Sequence, residues 1–301
     1  MLVCVLDQDA LAITDDFPAV LTFRWSDVLK GDPELGAAVA SREGASAIFT
    51  SVPAISKHAL SMIPENESIT YLDADIALLD RLDSLTAQFG TSDVGLFPHG
   101  FSKLLQSYMI RYGRYNAGAF IVRNSKNGRD FLDAWSALCI DWCEDRTGTL
   151  GRYSNQGYLT RLAEERLSVV NLEGSAGNIA PWNSGLQSTR ISKGRVCHRG
   201  SNIVFFHFHG LQRSRNVWLL GHLRYGNLLT KHVIRVLYLE YLESLEVANL
   251  KYGQAFNQSL RITSRKQAPL INVIYKLLSL TTLQYIRVPQ AGSESSRKYL
   301  P

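Results

Sequence analysis

Residues 68–75 read Ser-Ile-Thr-Tyr-Leu-Asp-Ala-Asp, a short apolar run that ends on two carboxylates one residue apart. Such a run predicts a strand, and its carboxyl end is where an α/β sheet binds ligands. Two hard oxygen ligands there, Asp73 and Asp75, suit Mg²⁺ or Mn²⁺, an ion able to bridge and neutralise a diphosphate. The plain alternative is a solvated strand end that caps the next turn.

Outward from this stretch, further apolar runs predict strands at 2–6 (buried), 20–23, 94–97, 119–122, 168–172 and 203–206. A helix is expected over 53–63, with Ile55, Ala59 and Met62 on one face and Pro64 as its stop. The clearest helix is expected over 126–145, where Phe131, Leu132, Trp135, Leu138, Cys139, Trp142 and Cys143 form a stripe of period 3.6. That stripe reads as a core face, with both cysteines as small buried hydrophobes. Alternating strands and helices imply an α/β fold with a mostly parallel sheet.

Four more polar clusters stand out. In Phe205-Phe206-His207-Phe208-His209-Gly210, strand alternation puts both histidines on one face and Phe206 and Phe208 on the other. An imidazole beside two carboxylates would complete a ligand set for Mn²⁺, against a hydrogen-bonded core histidine as the plain reading. Tyr115-Asn116-Ala117-Gly118-Ala119 leads into a strand, with Asn116 suited to sugar hydroxyls and Gly118 to close backbone approach. Ser154-Asn155-Gln156-Gly157 precedes a helical segment. The run from Gly177 to Asn183 offers Asn178, Trp182 and Asn183, two amides and an aromatic platform that, with Gly210, are expected to contact a sugar. Each of these last three, taken alone, also reads as a turn or cap.

With 46% hydrophobic and 20% charged residues among 301, the chain can bury a large core, which excludes wholesale disorder. No apolar stretch is long enough to span a membrane. The opening residues do not read as a signal peptide. Four scattered cysteines without a CxxC pair fit a reducing cytoplasm. Residues 1–210 hold 19 Lys/Arg against 23 Asp/Glu, net −4, and residues 211–301 hold 13 against 4, net +9. An acidic body with a basic tail argues against nucleic acid as substrate and for contact with an anionic surface. Leu270, Ile271, Ile274, Leu277 and Leu278, beside Lys266 and Lys276, predict an amphipathic helix for peripheral contact at the inner face of a membrane. A helix packed on the body of the domain is the alternative.

In order, YLDADIALLD, LFPHGF, YNAGAFIVRN, SNQGYL, GNIAPWN and FFHFHG resemble bacterial glycosyltransferases related to the glycogenin and lipopolysaccharide galactosyltransferase group. The resemblance covers residues 1–212 and implies a GT-A fold with a Rossmann-like sheet. It also implies a nucleotide-diphosphate-sugar donor, Mn²⁺ (or Mg²⁺), and transfer to a glycan or glycolipid acceptor, which we expect to be retaining. By the family's motifs, Asp73, Asp75 and His207 are expected to bind the metal, His207 through His207-Phe208-His209-Gly210. Asn116, Ala117 and Gly118 are expected at the donor sugar, and Asn155 and Gln156 at the catalytic position. Asn155 departs from the family, which carries Asp there, and an amide stabilises positive charge less well. The family also opens with a strand and helix before the strand seen here at 2–6, so the start is expected to lie inside the domain. Residues 213–290 are expected to form a helical basic region and 291–301 a flexible tail. Rival readings are a catalytically impaired descendant that binds sugar or a partner, and a haloacid-dehalogenase-type phosphatase. The phosphatase favours Thr two residues past its second Asp, where this chain has Ala77.

Overall fold

The structure, a computed structural model, describes residues 1–148, 152–166, 168–174, 177–214, 217–253 and 269–288. The chain opens with β1 (Leu2–Val5), α1 (Gln8–Thr14), β2 (Leu21–Arg24), α2 (Trp25–Gly31), α3 (Pro33–Ala40), α4 (Ala45–Ser61) and β3 (Ser68–Leu72). It continues through β4 (Ile76–Leu78), α5 (Asp83–Phe89), β5 (Val94–Pro98), α6 (Gln106–Tyr112), β6 (Tyr115–Arg123), α7 (Lys126–Asp141), α8 (Leu159–Glu164) and β7 (Val169–Asn171). Then come β8 (Thr189–Ser192), β9 (Arg195–His198), β10 (Ser201–Asn202), β11 (Phe205–His207), β12 (Gln212–Ser214) and β13 (Val217–Leu219). Helices α9 (Lys231–Tyr252) and α10 (Pro269–Thr281) and strand β14 (Tyr285–Ile286) complete the described chain.

These elements form two compact units, one of residues 1–74 and 82–175, the other of 75–81 and 176–301. The division runs through the Asp-Ala-Asp stretch itself. The expected tail over 291–301 lies outside the described residues.

The first unit is built on a mixed sheet of order β3-β6-β5-β7. Its centre, β6, has eight successive buried residues, so it is covered on both faces. Such coverage produces an unbroken apolar run whichever way the neighbours point, which is why the expectation of a mostly parallel sheet fails. Both neighbours of β6 run antiparallel to it. Among the described residues the parallel pairings are β1–β2, β5–β7 and an isolated bridge between Ile179 and Phe206. Strand β1 is also less buried than expected, with only Val5 of its four residues shielded from solvent.

Two helices differ from their expected bounds. Helix α4 begins at Ala45 and carries Pro53 inside it. Pro53 has no N–H for the carbonyl four residues back, yet Ile55, Ala59 and Leu60 on the buried face hold the helix together through packing. Met62 falls outside α4 and is exposed. Helix α7 stops at Asp141, where Trp142 turns extended and its N–H closes the last turn on Leu138. Cys143 therefore lies beyond the helix, although it is as fully buried as Cys139. The Tyr158 hydroxyl donates to the Trp142 carbonyl at 2.6 Å and fixes that exit. The core beneath the sheet joins Phe120, Phe131 and Trp135, with Phe120 meeting Trp135 edge-on at 5.2 Å.

The second unit packs short antiparallel strands on α9. Val233, Ile234, Leu237, Tyr238 and Leu242 form the buried stripe of α9 and join Ile179, Phe206, Phe208 and Trp218 in one cluster. Among the described residues no helix is long and apolar enough to cross a membrane.

Candidate functional site

In the second unit, β11 pairs antiparallel with β4, with His207 opposite Ile76 and Phe206 opposite Ala77. Asp75 stands just before β4, and its carbonyl accepts from the Phe208 N–H at 2.8 Å. The pairing thus extends one step past β11 and sets the Asp75 side chain beside His207. Strand alternation does the rest. Phe206 and Phe208 turn into the core, 4.8 Å apart between ring centroids, while His207 and His209 share the other face at 5.7 Å. His207 Nε2 lies 2.9 Å from an Asp75 carboxylate oxygen. One ligand atom from each of Asp75, His207 and His209 falls within 4.8 Å of the others. Burial works against the Asp75 charge, but the adjoining His207 and then His209 outweigh it and hold the carboxyl below the usual range.

Trp182 forms a wall of this group. Its ring meets His207 edge-on at 5.2 Å, His209 at 5.6 Å and Tyr225 at 6.0 Å. The loop that carries it is held by its own amides. Asn183 accepts from the Ala180 N–H at 2.9 Å and donates to the Asn178 carbonyl at 3.1 Å. Asn178 is buried with φ of 53°, a left-handed conformation that asparagine tolerates. The Asn183 amide, expected as a sugar contact, thus has a turn-stabilising role in its loop. Gly210, with φ of 76°, ends the histidine strand in a turn that favours glycine.

The first unit gathers the other expected residues around the N-terminal half of β6. The motif from Tyr115 to Ala119 is itself strand, correcting its placement as a lead-in. Asn116 is buried, accepts from the Gly118 N–H at 3.1 Å and donates to Gln156 at 3.4 Å. Ala117 is buried beside it in the core cluster. Asp73 follows β3, its N–H bonded to the Gly118 carbonyl at 2.8 Å and its carboxylate accepting from the Tyr71 hydroxyl at 2.9 Å. Asn155 is buried, and its carbonyl accepts from the Trp135 indole at 2.8 Å. Asp73, Asn116, Gly118 and Gln156 are therefore linked through β6, and Asn155 is tied to the core under it.

No family model matches the chain. Two proteins of Bacillus subtilis (strain 168), described as uncharacterized proteins YfnF and YfnD, are each 26% identical to it. The first aligns over 178 residues, 56% of this chain and 58% of its own length, and the second over 218 residues, 71% and 69%. The chain thus spans little more than half of the first relative. Among solved structures, apo mouse xyloside xylosyltransferase 1 is similar over 69% of this chain and 85% of its own, at 11% identity and a TM-score of 0.41.

Two contributors to the histidine group escaped sequence reading, while His209, which alternation put on the face of His207 without a ligand role, joins Asp75 and His207. Tyr225, in the 3₁₀ turn Gly221–Tyr225, flanks Trp182 and His209. Gly221 permits that turn to approach the backbone of His209, since a Cβ there would stand 2.3 Å from the His209 carbonyl oxygen. Nothing in the local sequence marks Gly221 or Tyr225. Their roles depend on a chain reversal that periodicity does not encode.

Proposed function

We propose that the protein is a metal-dependent glycosyltransferase of the GT-A kind, which moves a sugar from a nucleotide-diphosphate-sugar donor to a glycan or glycolipid acceptor. The observation that carries this reading is the close grouping of Asp75, His207 and His209 against Trp182. The ordered motif resemblance supports it.

The donor set fits a divalent cation. A carboxylate oxygen and two imidazole nitrogens suit Mn²⁺. The 2.9 Å between Asp75 and His207 matches the roughly 3 Å edge between adjacent ligands at bonds of about 2.1 Å. Asp75 and His207 would hold the ion, with His209 as an added ligand. Bound there, the cation supplies positive charge to the leaving diphosphate.

The chain's own residues do the remainder. Trp182 packs against both imidazoles and fixes their rings. Asn116, Ala117 and Gly118 line the donor sugar, with the Asn116 amide oriented by Gln156 and by the Gly118 N–H. Asn155 and Gln156 stand at the catalytic position. Transfer is retaining, with the new bond formed on the face that the leaving group vacates. The test is a panel of nucleotide sugars, assayed for released nucleoside diphosphate with Mn²⁺ and with chelator, beside direct Mn²⁺ titration. Release that requires Mn²⁺ supports the reading. Failure both to bind Mn²⁺ and to release nucleoside diphosphate from any donor refutes it.

A further inference from the structure

Helix α10 is attached to the second unit by polar groups and turns Leu277 and Leu278 outward. On its inner side the Tyr275 hydroxyl donates to the Leu220 carbonyl, the Tyr275 ring lies under the Arg224 guanidinium at 5.2 Å, and Ser279 is wholly buried. Just beyond the helix, buried Gln284 exchanges two hydrogen bonds with the Leu229 backbone, at 2.9 and 3.0 Å, and Tyr285 and Ile286 pair with β13. On its outer side Ile274, Leu277 and Leu278 are 49%, 57% and 50% exposed. With Thr281 they follow the i, i+3, i+4, i+7 spacing of one helical face. The polarity of an ordinary surface helix is thus reversed. Scattered exposed leucines are common, but a contiguous face held outward by specific bonds marks a contact surface.

Charge identifies what covers it. Residues 247–293 contain six Lys/Arg and no Asp or Glu, and three of the six, Lys251, Lys276 and Arg287, lie among the described residues. Lys276, on α10 itself, is exposed, as is Arg287 just beyond it. A partner bearing uniform negative charge above a hydrocarbon layer matches both features. We infer that the outward face of α10 is a landing surface for an anionic lipid membrane, with Ile274, Leu277 and Leu278 entering the headgroup–acyl boundary and Lys276 reaching lipid phosphate.

The full chain is sedimented with vesicles of phosphatidylglycerol and phosphatidylcholine in equal parts, or of phosphatidylcholine alone, at low and high salt. Wild type pellets with the mixed vesicles at low salt and not with the neutral ones. Leu277→Ser with Leu278→Ser lowers partitioning at least tenfold, and Lys276→Ala lowers it about fivefold. Thermal melting checks that the double variant remains folded. Lys276→Glu provides a second readout on an exposed side chain, lowering partitioning further than Lys276→Ala. Wild type remaining in the supernatant at low salt overturns the inference, as does a folded double variant that pellets like wild type. A dimer in sedimentation velocity that the leucine variant dissociates, without vesicle binding, would assign the face to a second copy and also overturn it. Nucleoside-diphosphate release, measured without vesicles, is read separately, so this inference and the proposed transferase activity can fail independently.

Discussion

Gly221→Ala perturbs the histidine group without touching a proposed ligand. Gly221 does not have a positive φ, so alanine is compatible with its backbone, and the added methyl is the whole perturbation. That Cβ would lie 2.3 Å from the His209 carbonyl oxygen and 3.3 Å from Pro181. Real contacts essentially never fall below 3.0 Å, so the two segments must separate by 0.7 Å or more. The atom in the way is backbone, which cannot swing aside as a flexible side chain would. Overpacking of this kind costs about 1–3 kcal/mol, enough to lower Tm by several degrees. The displaced segment carries His209, so Mn²⁺ affinity should also fall, by roughly the 10- to 100-fold typical of disturbed ligand support. Thermal melting and calorimetric Mn²⁺ titration measure the two effects. Gly31→Ala is the control, because nothing stands within 4 Å of its added Cβ, and it should stay within about 1 kcal/mol of wild type. If Gly221→Ala melts and binds Mn²⁺ like wild type, the close approach of the 3₁₀ turn to His209 is refuted.

Asp75→Asn should lose nucleoside-diphosphate release and most Mn²⁺ binding while melting near wild type, because the half-exposed carboxylate is not a core element; retained Mn²⁺-dependent activity would remove Asp75 from the ligand set. His207→Ala should weaken Mn²⁺ more than His209→Ala, since His207 is buried and bonded to Asp75 whereas His209 is exposed; titration of both variants decides the order. His222 is wholly buried, with Nε2 2.8 Å from the Tyr238 hydroxyl and Nδ1 3.3 Å from the Ser184 carbonyl. Burial lowers its pKa from 6.5 to about 4. Its stabilising contribution is therefore complete above 6.5 and is lost as pH falls toward 4, up to about 3 kcal/mol. Urea unfolding at pH 7.5 and pH 5, in wild type and in Tyr238→Phe, should show this acid loss together with a penalty of about 1–2 kcal/mol in the variant at both pH values.

Several features were legible in the sequence because local pattern encodes burial. The run into Asp73-Ala74-Asp75 announced β3, and the alternation of Phe206, His207, Phe208 and His209 announced which side chains share a face. The apolar stripe through Phe131 and Trp135 announced α7. Pattern did not encode partners or directions. Strand β6 is buried on both faces, so its sequence could not report that its neighbours are antiparallel. Cys143 continued the helical period of α7, yet the chain leaves the helix at Trp142, where a hydrogen bond from Tyr158 fixes the exit. Asp75 and His207 are far apart in sequence, and only the β4–β11 register brings them to 2.9 Å. The amphipathic character of α10 was readable, but its orientation was not. Apolar periodicity ordinarily predicts which face of a helix is buried, and here the bonds of Tyr275, Gln284 and β14 reverse that prediction. The sequence by itself determined where strands and helices form and which residues carry chemistry. Tertiary hydrogen bonding and close backbone contacts decided which of those residues meet, because such contacts join segments whose separation no local period can span.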